Sequence, residues 1–164
     1  MTAAYFKQAY YPFYPKLFRV AFAILNNNET AKDIVQDAYC KLWDERDKLV
    51  DIQKPEAYCV TLLKNLCMDY FRSQKKTYDL NIEDYDFPDF SPDAETQIVN
   101  LESIEKVKSL ILQLPENQQM VIDLRVFADC SSEEIEKITG FSAENVRTLL
   151  SRARNTLKKK FKHL

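Results

Sequence analysis

Residues 131–154 read SSEEIEKITGFSAENVRTLLSRAR, and Gly140, the only glycine in the chain, divides this stretch into two amphipathic helical patterns. Glycine adopts the left-handed conformation of a sharp turn between helices at little steric cost. Ser131 and Glu134 have the spacing of a capping box, and Ser142 stands where it can cap the second helix. The stretch therefore predicts a helix-turn-helix whose second, arginine-rich helix is the recognition helix.

Side chains on the outer face of that second helix have the chemistry to bind DNA. Arginine forms paired hydrogen bonds with guanine in the major groove, while asparagine, serine and threonine reach other base edges or phosphates. The candidates are Ser142, Asn145, Arg147, Thr148, Ser151, Arg152 and Arg154. We expect Lys158, Lys159 and Lys160, farther along the helix, to neutralise phosphates. An isolated basic stretch is usually a solvated surface, but the two caps and the glycine turn together favour DNA binding.

The net charge of −2 conceals a strong segregation of charge along the chain. Residues 1–76 carry 12 basic and 9 acidic side chains, and residues 141–164 carry 7 and 1. Residues 77–100 carry 7 acids and no base, and residues 101–140 carry 8 acids and 4 bases. Because the local field governs docking more than the total charge does, the basic end is compatible with nucleic acid.

Composition favours packed helical domains and excludes several other classes. The chain has 164 residues, of which 46% are hydrophobic and 12% aromatic. No apolar run approaches the ~20 residues that span a bilayer, and residues 1–7 lack the features of a signal peptide, so we expect a cytoplasmic protein without membrane insertion. The cysteines form no C-x-x-C pair and the only histidine is His163, so we expect no metal, cofactor or disulfide framework.

Helical patterns also fill residues 1–76. An apolar face that includes Leu17, Val20 and Ile24 stops at asparagines 26–28, which suit a turn and the cap of the next helix. That next helix exposes a polar face with Asp33, Gln36, Asp37 and Lys41. A further helix, from about Glu56 to Lys76, buries a stripe that includes Cys59 and Cys67. Its opposite face is polar and cationic, with Thr61, Lys64, Asn65, Met68, Arg72 and Lys75.

The predicted fold class is all-α, with two small helical domains at residues 1–76 and 92–164 and an acidic linker at 77–91. Ser91 and Pro92 have the residue types that begin a helix, and the pattern continues to Pro115. A helix over Glu116 to Phe127 then precedes the helix-turn-helix. The residues of the last helix that are expected to face the core are Val146, Leu149, Leu150, Ala153, Leu157 and Phe161.

Two blocks of this sequence together resemble the small two-domain bacterial sigma factors of the extracytoplasmic-function (ECF) group. In the first half, residues 31–43 (AKDIVQDAYCKLW) resemble the family's polymerase-clamp-binding helix, and residues 58–72 (YCVTLLKNLCMDYFR) resemble its promoter-melting helix. In the second half, LPENQQ (114–119), SEEI (132–135), TGFS (139–142) and VRTLLSRAR (146–154) resemble the domain that binds the upstream promoter element.

The resemblance implies a non-enzymatic protein that binds the clamp and flap of core RNA polymerase and directs promoter-specific initiation. Polymerase binding would fall on Asp33, Gln36, Asp37 and Lys41. The minus-ten element would be opened by Asp51, Gln53, Lys54, Lys64, Asn65, Arg72, Lys75 and Lys76. The seven candidates on the recognition helix would read the minus-thirty-five element. An anti-sigma factor is implied as a further partner.

Other interpretations are open at this stage. An ordinary helix-turn-helix repressor or activator would not need the first block, and a helical metalloenzyme would need inward Glu-x-x-His pairs that the chain lacks. The aromatic residues near the start could form a protein-binding surface, although we expect them to pack the first helix. The acidic segment could enter a nucleic-acid channel of the polymerase or act as a solvated tether. Two positions depart from the family pattern, which usually has glycine near Cys130 and alanine near Glu136.

Overall fold

The computed structural model of the chain describes residues 1–74 and 101–163, and the regular elements in these two ranges are helices. The chain divides into two compact units whose boundary falls within residues 75–100. The all-α, two-domain prediction is therefore confirmed. The predicted domain limits at 76, 77 and 91 and the helix start at Ser91 and Pro92 lie outside the described residues.

The first unit is a bundle of helices whose ends follow from asparagine chemistry. Its helices are α1 (Ala3–Tyr10), α2 (Tyr14–Leu25), α3 (Asn28–Asp44) and α4 (Pro55–Gln74), with short 3₁₀ turns at Tyr11–Phe13 and Lys48–Asp51. Asn26 ends α2 in the left-handed region, at φ 54°, which asparagine tolerates better than most residues. Asn27 then caps α3, because its Oδ1 accepts a hydrogen bond from the Thr30 N–H at 2.9 Å.

The core of the first unit forms where α2, α3 and α4 pack together. Leu17, Val20, Val35, Leu42 and Leu63 are at most 1% exposed. The core also contains the two cysteines of α4. Burial raises the pKa of both the Cys59 and the Cys67 thiols to about 12, so these cysteines are neutral packing groups at physiological pH.

The aromatic residues near the start divide between core and surface. Phe6 and Tyr10 are buried, and the Phe6 ring lies edge-on to Trp43 with 5.3 Å between centroids. The Tyr10 hydroxyl donates a hydrogen bond to the Leu49 carbonyl at 3.3 Å. Tyr5 and Tyr11 remain more than half exposed, so the expectation that all of these aromatics pack α1 onto the unit is only partly correct.

The second unit contains α5 (Leu101–Leu112), α6 (Glu116–Ile122), α7 (Ser132–Thr139) and α8 (Ala143–Lys162). The helix expected over 116–127 changes at Asp123 into a π-helical turn that ends at Phe127. α8 packs against α5, α6 and α7 and buries Val146, Leu150 and Ala153. Phe161 was expected to face inward but is 49% exposed, because it lies in the last turn, beyond the buried positions of α8.

The turn between α7 and α8 has the three features that the sequence predicts. At the start of α7, the Glu134 N–H donates to the Ser131 hydroxyl at 3.1 Å and the Ser131 N–H donates to the Glu134 carboxylate at 2.7 Å. Gly140 ends α7 at φ +77°, and its N–H donates to the Glu136 carbonyl. Ser142 then caps α8 by accepting a hydrogen bond from the Asn145 N–H at 3.2 Å. These contacts therefore fix both ends of α7 and the start of α8.

Thr139 adds a contact to this turn that sequence patterns did not indicate. Its hydroxyl donates to the Ile135 carbonyl at 2.7 Å and accepts from the Phe141 N–H at 3.1 Å. One side chain thus joins the last turn of α7 to the residue after the glycine.

A buried carboxyl group lies inside the second unit. Asp123 is 6% exposed, and its Oδ1 has no hydrogen-bond partner within residues 1–74 and 101–163. Burial raises the pKa of this carboxyl from 3.8 to about 7. The π-helical turn begins at the same residue, so the backbone irregularity and the buried carboxyl coincide.

Replacing Gly140 should cost backbone strain without a steric clash, because a Cβ at this position would meet nothing within 4 Å. We expect Gly140→Ala to lower the free energy of unfolding of the second unit by about 1 kcal/mol. Gly140→Asn should cost less, because asparagine adopts the left-handed conformation more readily. Denaturant unfolding measures both. An alanine variant as stable as the parent chain would contradict the backbone argument.

Asp123 should make the stability of the second unit fall as the pH rises. Its pKa is higher in the folded state, so its favourable contribution is complete below pH 3.8 and is lost as the pH rises through about 7. Asp123→Asn keeps the size of the side chain and removes the charge. We expect it to raise the melting temperature more at about pH 8 than at about pH 5. An equal shift at both pH values would exclude ionisation of Asp123 as the cause.

Candidate nucleic-acid interface

The outer face of α8 presents most of the predicted DNA-binding side chains to solvent. Asn145, Arg147, Ser151, Arg152 and Arg154 are exposed. Thr148 is half-buried, and the Ser142 hydroxyl already accepts a backbone hydrogen bond as the helix cap. The role of Ser142 is therefore to cap α8. The five exposed side chains named above are the ones best placed to reach bases.

A groove beside α8 brings together side chains from three elements. It has a volume of about 350 Å³ and opens between α7, α8 and the π-helical turn. Its lining includes Arg125, Ser132, Glu136, Ala143, Arg147, Leu150, Ser151, Arg154 and Asn155. Of these, Arg147, Ser151 and Arg154 were predicted from the sequence. Three of the predicted residues of α8 thus share a concave surface with Arg125 of the π-helical turn.

Sequence reasoning did not place Arg125, Ser132, Glu136 or Asn155 in the site. The helical period could have placed Ser132 and Glu136 together, since they are four residues apart and lie on one face of α7. Arg125 comes from the π-helical turn and donates a hydrogen bond from Nη1 to the Cys130 carbonyl at 2.9 Å. The α-helical period does not predict the direction of a side chain in a π-helical turn, so it could not place Arg125 in the groove.

The lysines at the end of α8 are not equivalent. Lys158, Lys159 and Lys162 are exposed. Lys160 is half-buried and donates a hydrogen bond from Nζ to Gln113 Oε1 at 2.9 Å, which ties the end of α8 to the loop after α5. Lys159 is consequently a better candidate for a phosphate contact than Lys160.

The cationic side chains predicted on the polar face of α4 lie in different environments. Asn65 and Arg72 are exposed, while Lys64 is half-buried. Arg72 forms an ion pair with Asp69 at 3.0 Å, but both side chains are exposed, so this pair is readily replaced by a contact with phosphate. Lys75 and Lys76 lie outside the described residues.

The loop before α4 lies free for contact. Asp51, Gln53 and Lys54 are exposed, with Asp51 at the end of the 3₁₀ turn. The predicted minus-ten residues within residues 1–74 thus fall on two neighbouring stretches of chain, this loop and α4.

The polar face predicted for α3 is present. Asp33, Gln36, Asp37 and Lys41 are all exposed, and Cys40 is exposed among them. The opposite side of α3 is buried in the core through Ile34, Val35, Ala38 and Leu42. A helix with one face fixed in the core and the other open is suited to docking on a protein partner.

Residues 1–74 and 101–163 contain no group of three or more His, Cys, Asp or Glu that could hold a metal ion. Over the same ranges, none of the helices combines the length and the apolar character that crossing a membrane requires.

Comparison with protein families decides between the open interpretations. Residues 10–77 match the family model Sigma-70 region 2, and residues 104–157 match Sigma-70, region 4. Together the two models cover well over half of the chain, in the order that the sequence predicted. The chain belongs to the sigma-70 family, in its ECF group. It is thus a promoter-specific transcription initiation factor rather than an ordinary repressor.

Curated relatives of this sigma factor match over most of their length. The ECF RNA polymerase sigma factor SigW of Bacillus subtilis is 26% identical over 158 residues, which cover 91% of this chain and 84% of the relative. RNA polymerase sigma factor SigV of the same organism is 29% identical over 136 residues, covering 83% and 78%.

A solved structure confirms the fold. The chain matches the sigma factor RpoE of Bartonella quintana, crystallised in complex with the anti-sigma factor NepR, with a TM-score of 0.69 and 24% identity. The match covers 98% of each chain.

Arg147 and Lys159 should have different effects on how this sigma factor binds promoters. We expect Arg147→Ala to reduce base discrimination at one or two upstream positions by about 1–3 kcal/mol. Lys159→Ala should weaken binding to all sequences alike and lower the salt slope by about 1, as the loss of one phosphate contact does. Competition binding with a promoter library measures both effects. Uniform losses across sequences for both variants would contradict this division.

Proposed function

We propose that the two units of this sigma factor divide promoter recognition between them. The first unit binds the clamp of core RNA polymerase through Asp33, Gln36, Asp37 and Lys41 and opens the minus-ten element with the loop at 51–54 and the polar face of α4. The second unit contacts the flap and reads the minus-thirty-five element with α8. The observation that carries the proposal is the presence of region 2 and region 4 matches in one chain, each with an exposed polar helix face.

The physical roles of the two DNA contacts differ. Duplex recognition by α8 requires side chains that enter the major groove, and the exposed arginines supply them. Opening the minus-ten element costs a few kcal/mol per unstacked base, which captured bases and phosphate contacts must offset. Asn65, Arg72 and Lys54 have the donors for such contacts and lie on neighbouring elements of the first unit.

Two further properties belong to this proposal. The protein acts in the cytoplasm, where RNA polymerase is, and it contributes binding rather than a catalytic step of its own. An anti-sigma factor restrains it, as the NepR complex of the structural relative suggests. The exposed faces of α3 and α8 are the surfaces that such a partner would need to cover.

Run-off transcription with core RNA polymerase tests the proposal. We expect the free protein to bind promoter DNA weakly, and core enzyme supplied with it to give specific transcripts from a promoter library. Transcripts from no promoter, together with tight binding of the free protein to duplex DNA, would favour an ordinary DNA-binding regulator instead.

Two variants separate the two roles and serve as controls for each other. Asp37→Ala should reduce binding to core polymerase and all transcription. Arg152→Ala should leave polymerase binding unchanged and reduce transcription only from promoters that depend on the upstream element. The assignment of α3 to polymerase binding would be wrong if Asp37→Ala left polymerase binding intact.

A further inference from the structure

The groove beside α8 combines three positive groups with one negative group. Arg125, Arg147 and Arg154 line it, and so does Glu136. The groove therefore has a net positive charge, and a surface of this kind attracts the phosphates of DNA whatever the base sequence. The carboxylate of Glu136 opposes the same interaction.

Glu136 lies in the last turn of α7. It lies four residues after Ser132 on the same helix face, and its carbonyl accepts the hydrogen bond from Gly140 at 2.8 Å. Its side chain is half-buried. Within the described ranges 1–74 and 101–163, none of the ion pairs that form at 4 Å or less joins Glu136 to an arginine of the groove. The carboxylate therefore adds negative charge to the groove without forming an ion pair with one of its arginines.

The docking geometry of a helix-turn-helix puts DNA phosphates over this groove. The recognition helix enters the major groove while the helix before it crosses the sugar-phosphate backbone. A surface between these two helices faces a strand of phosphates as the bases are read. Glu136 would then lie beside phosphate charge of its own sign, with Arg125, Arg147 and Arg154 around it.

We propose that Glu136 lowers the DNA affinity of this sigma factor by repelling the phosphates that lie over the arginine-lined groove. This inference rests on the proposed DNA-reading role of α8. Because the opposed interaction is with phosphate, Glu136 lowers binding to every DNA sequence and leaves base readout unchanged. Productive binding consequently depends more on polymerase, which holds the second unit against its promoter element.

Charge removal at Glu136 tests the inference, with Glu133 as the matched control. Glu133 is an exposed glutamate of the same helix that does not line the groove. Glu136→Gln and Glu133→Gln in the full chain therefore change the net charge equally and differ in position. Binding to a random-sequence DNA duplex is measured at low and at physiological salt, and thermal unfolding of each variant is recorded.

We expect Glu136→Gln to tighten binding about two- to fivefold at low salt and to steepen the salt dependence, while Glu133→Gln changes binding much less. Glu136→Ala should behave like Glu136→Gln and provides a second variant if one of them unfolds more easily. Equal gains from Glu136→Gln and Glu133→Gln would reduce the effect to net charge and overturn the inference. A loss of affinity in both Glu136 variants would also overturn it, because the carboxylate would then be supporting the arginines.

Run-off transcription with the parent chain separates this inference from the proposed function. If the parent chain directs specific transcription and the Glu136 variants bind random DNA no better, only the inference about Glu136 fails. If the parent chain directs no transcription with core polymerase, the proposed function itself fails.

Discussion

The second unit depends on the burial of one narrow stripe of α8. Val146, Leu150 and Ala153 are at most 6% exposed, and they fix the helix against α5, α6 and α7. An isolated helix gains little net stability from its own hydrogen bonds, so this packing decides which face of α8 remains in solvent. The arginines face outward because the apolar residues, which recur three or four positions from one another, occupy the inward face. The apolar face of α8 therefore packs against the unit, and the opposite face carries the side chains that can bind DNA.

Much of the fold could be predicted because the helix ends are determined by residues close to them in the sequence. Serine, asparagine and glycine act within a few residues of where they stand, so the capping box, the Ser142 cap and the turn at Gly140 follow from spacing alone. The π-helical turn could not be predicted in this way. A π-helical turn differs from the preceding α-helix in the spacing of its backbone hydrogen bonds, and the hydrophobic period does not indicate that change. The exposure of Phe161 was missed for a similar reason, since the helical period continues to Phe161 whereas burial along α8 ends at Ala153.

The candidate site was predicted in its chemistry more fully than in its arrangement. Exposed residues of α3 and α8 follow from the helical period, and these predictions agree with the observed exposure except at Thr148, which is half-buried. Contacts between elements were not accessible to the same reasoning. Lys160 forms a hydrogen bond with Gln113, which is distant in sequence. Arg125 likewise lines the groove beside α8 together with residues of α8 that are distant from it in sequence. Such residues meet only because of the way the helices pack, and a local sequence pattern does not show how helices pack.

The distribution of thiols has a practical consequence for following this sigma factor on polymerase. Of the four cysteines, Cys59, Cys67 and Cys130 are buried, and Cys40 alone is exposed. Cys40 lies on α3 among the polar residues assigned to polymerase. A thiol-reactive fluorophore would consequently attach to the natural chain at a single position, without engineered cysteines, and would report directly on whether that helix face is free or covered.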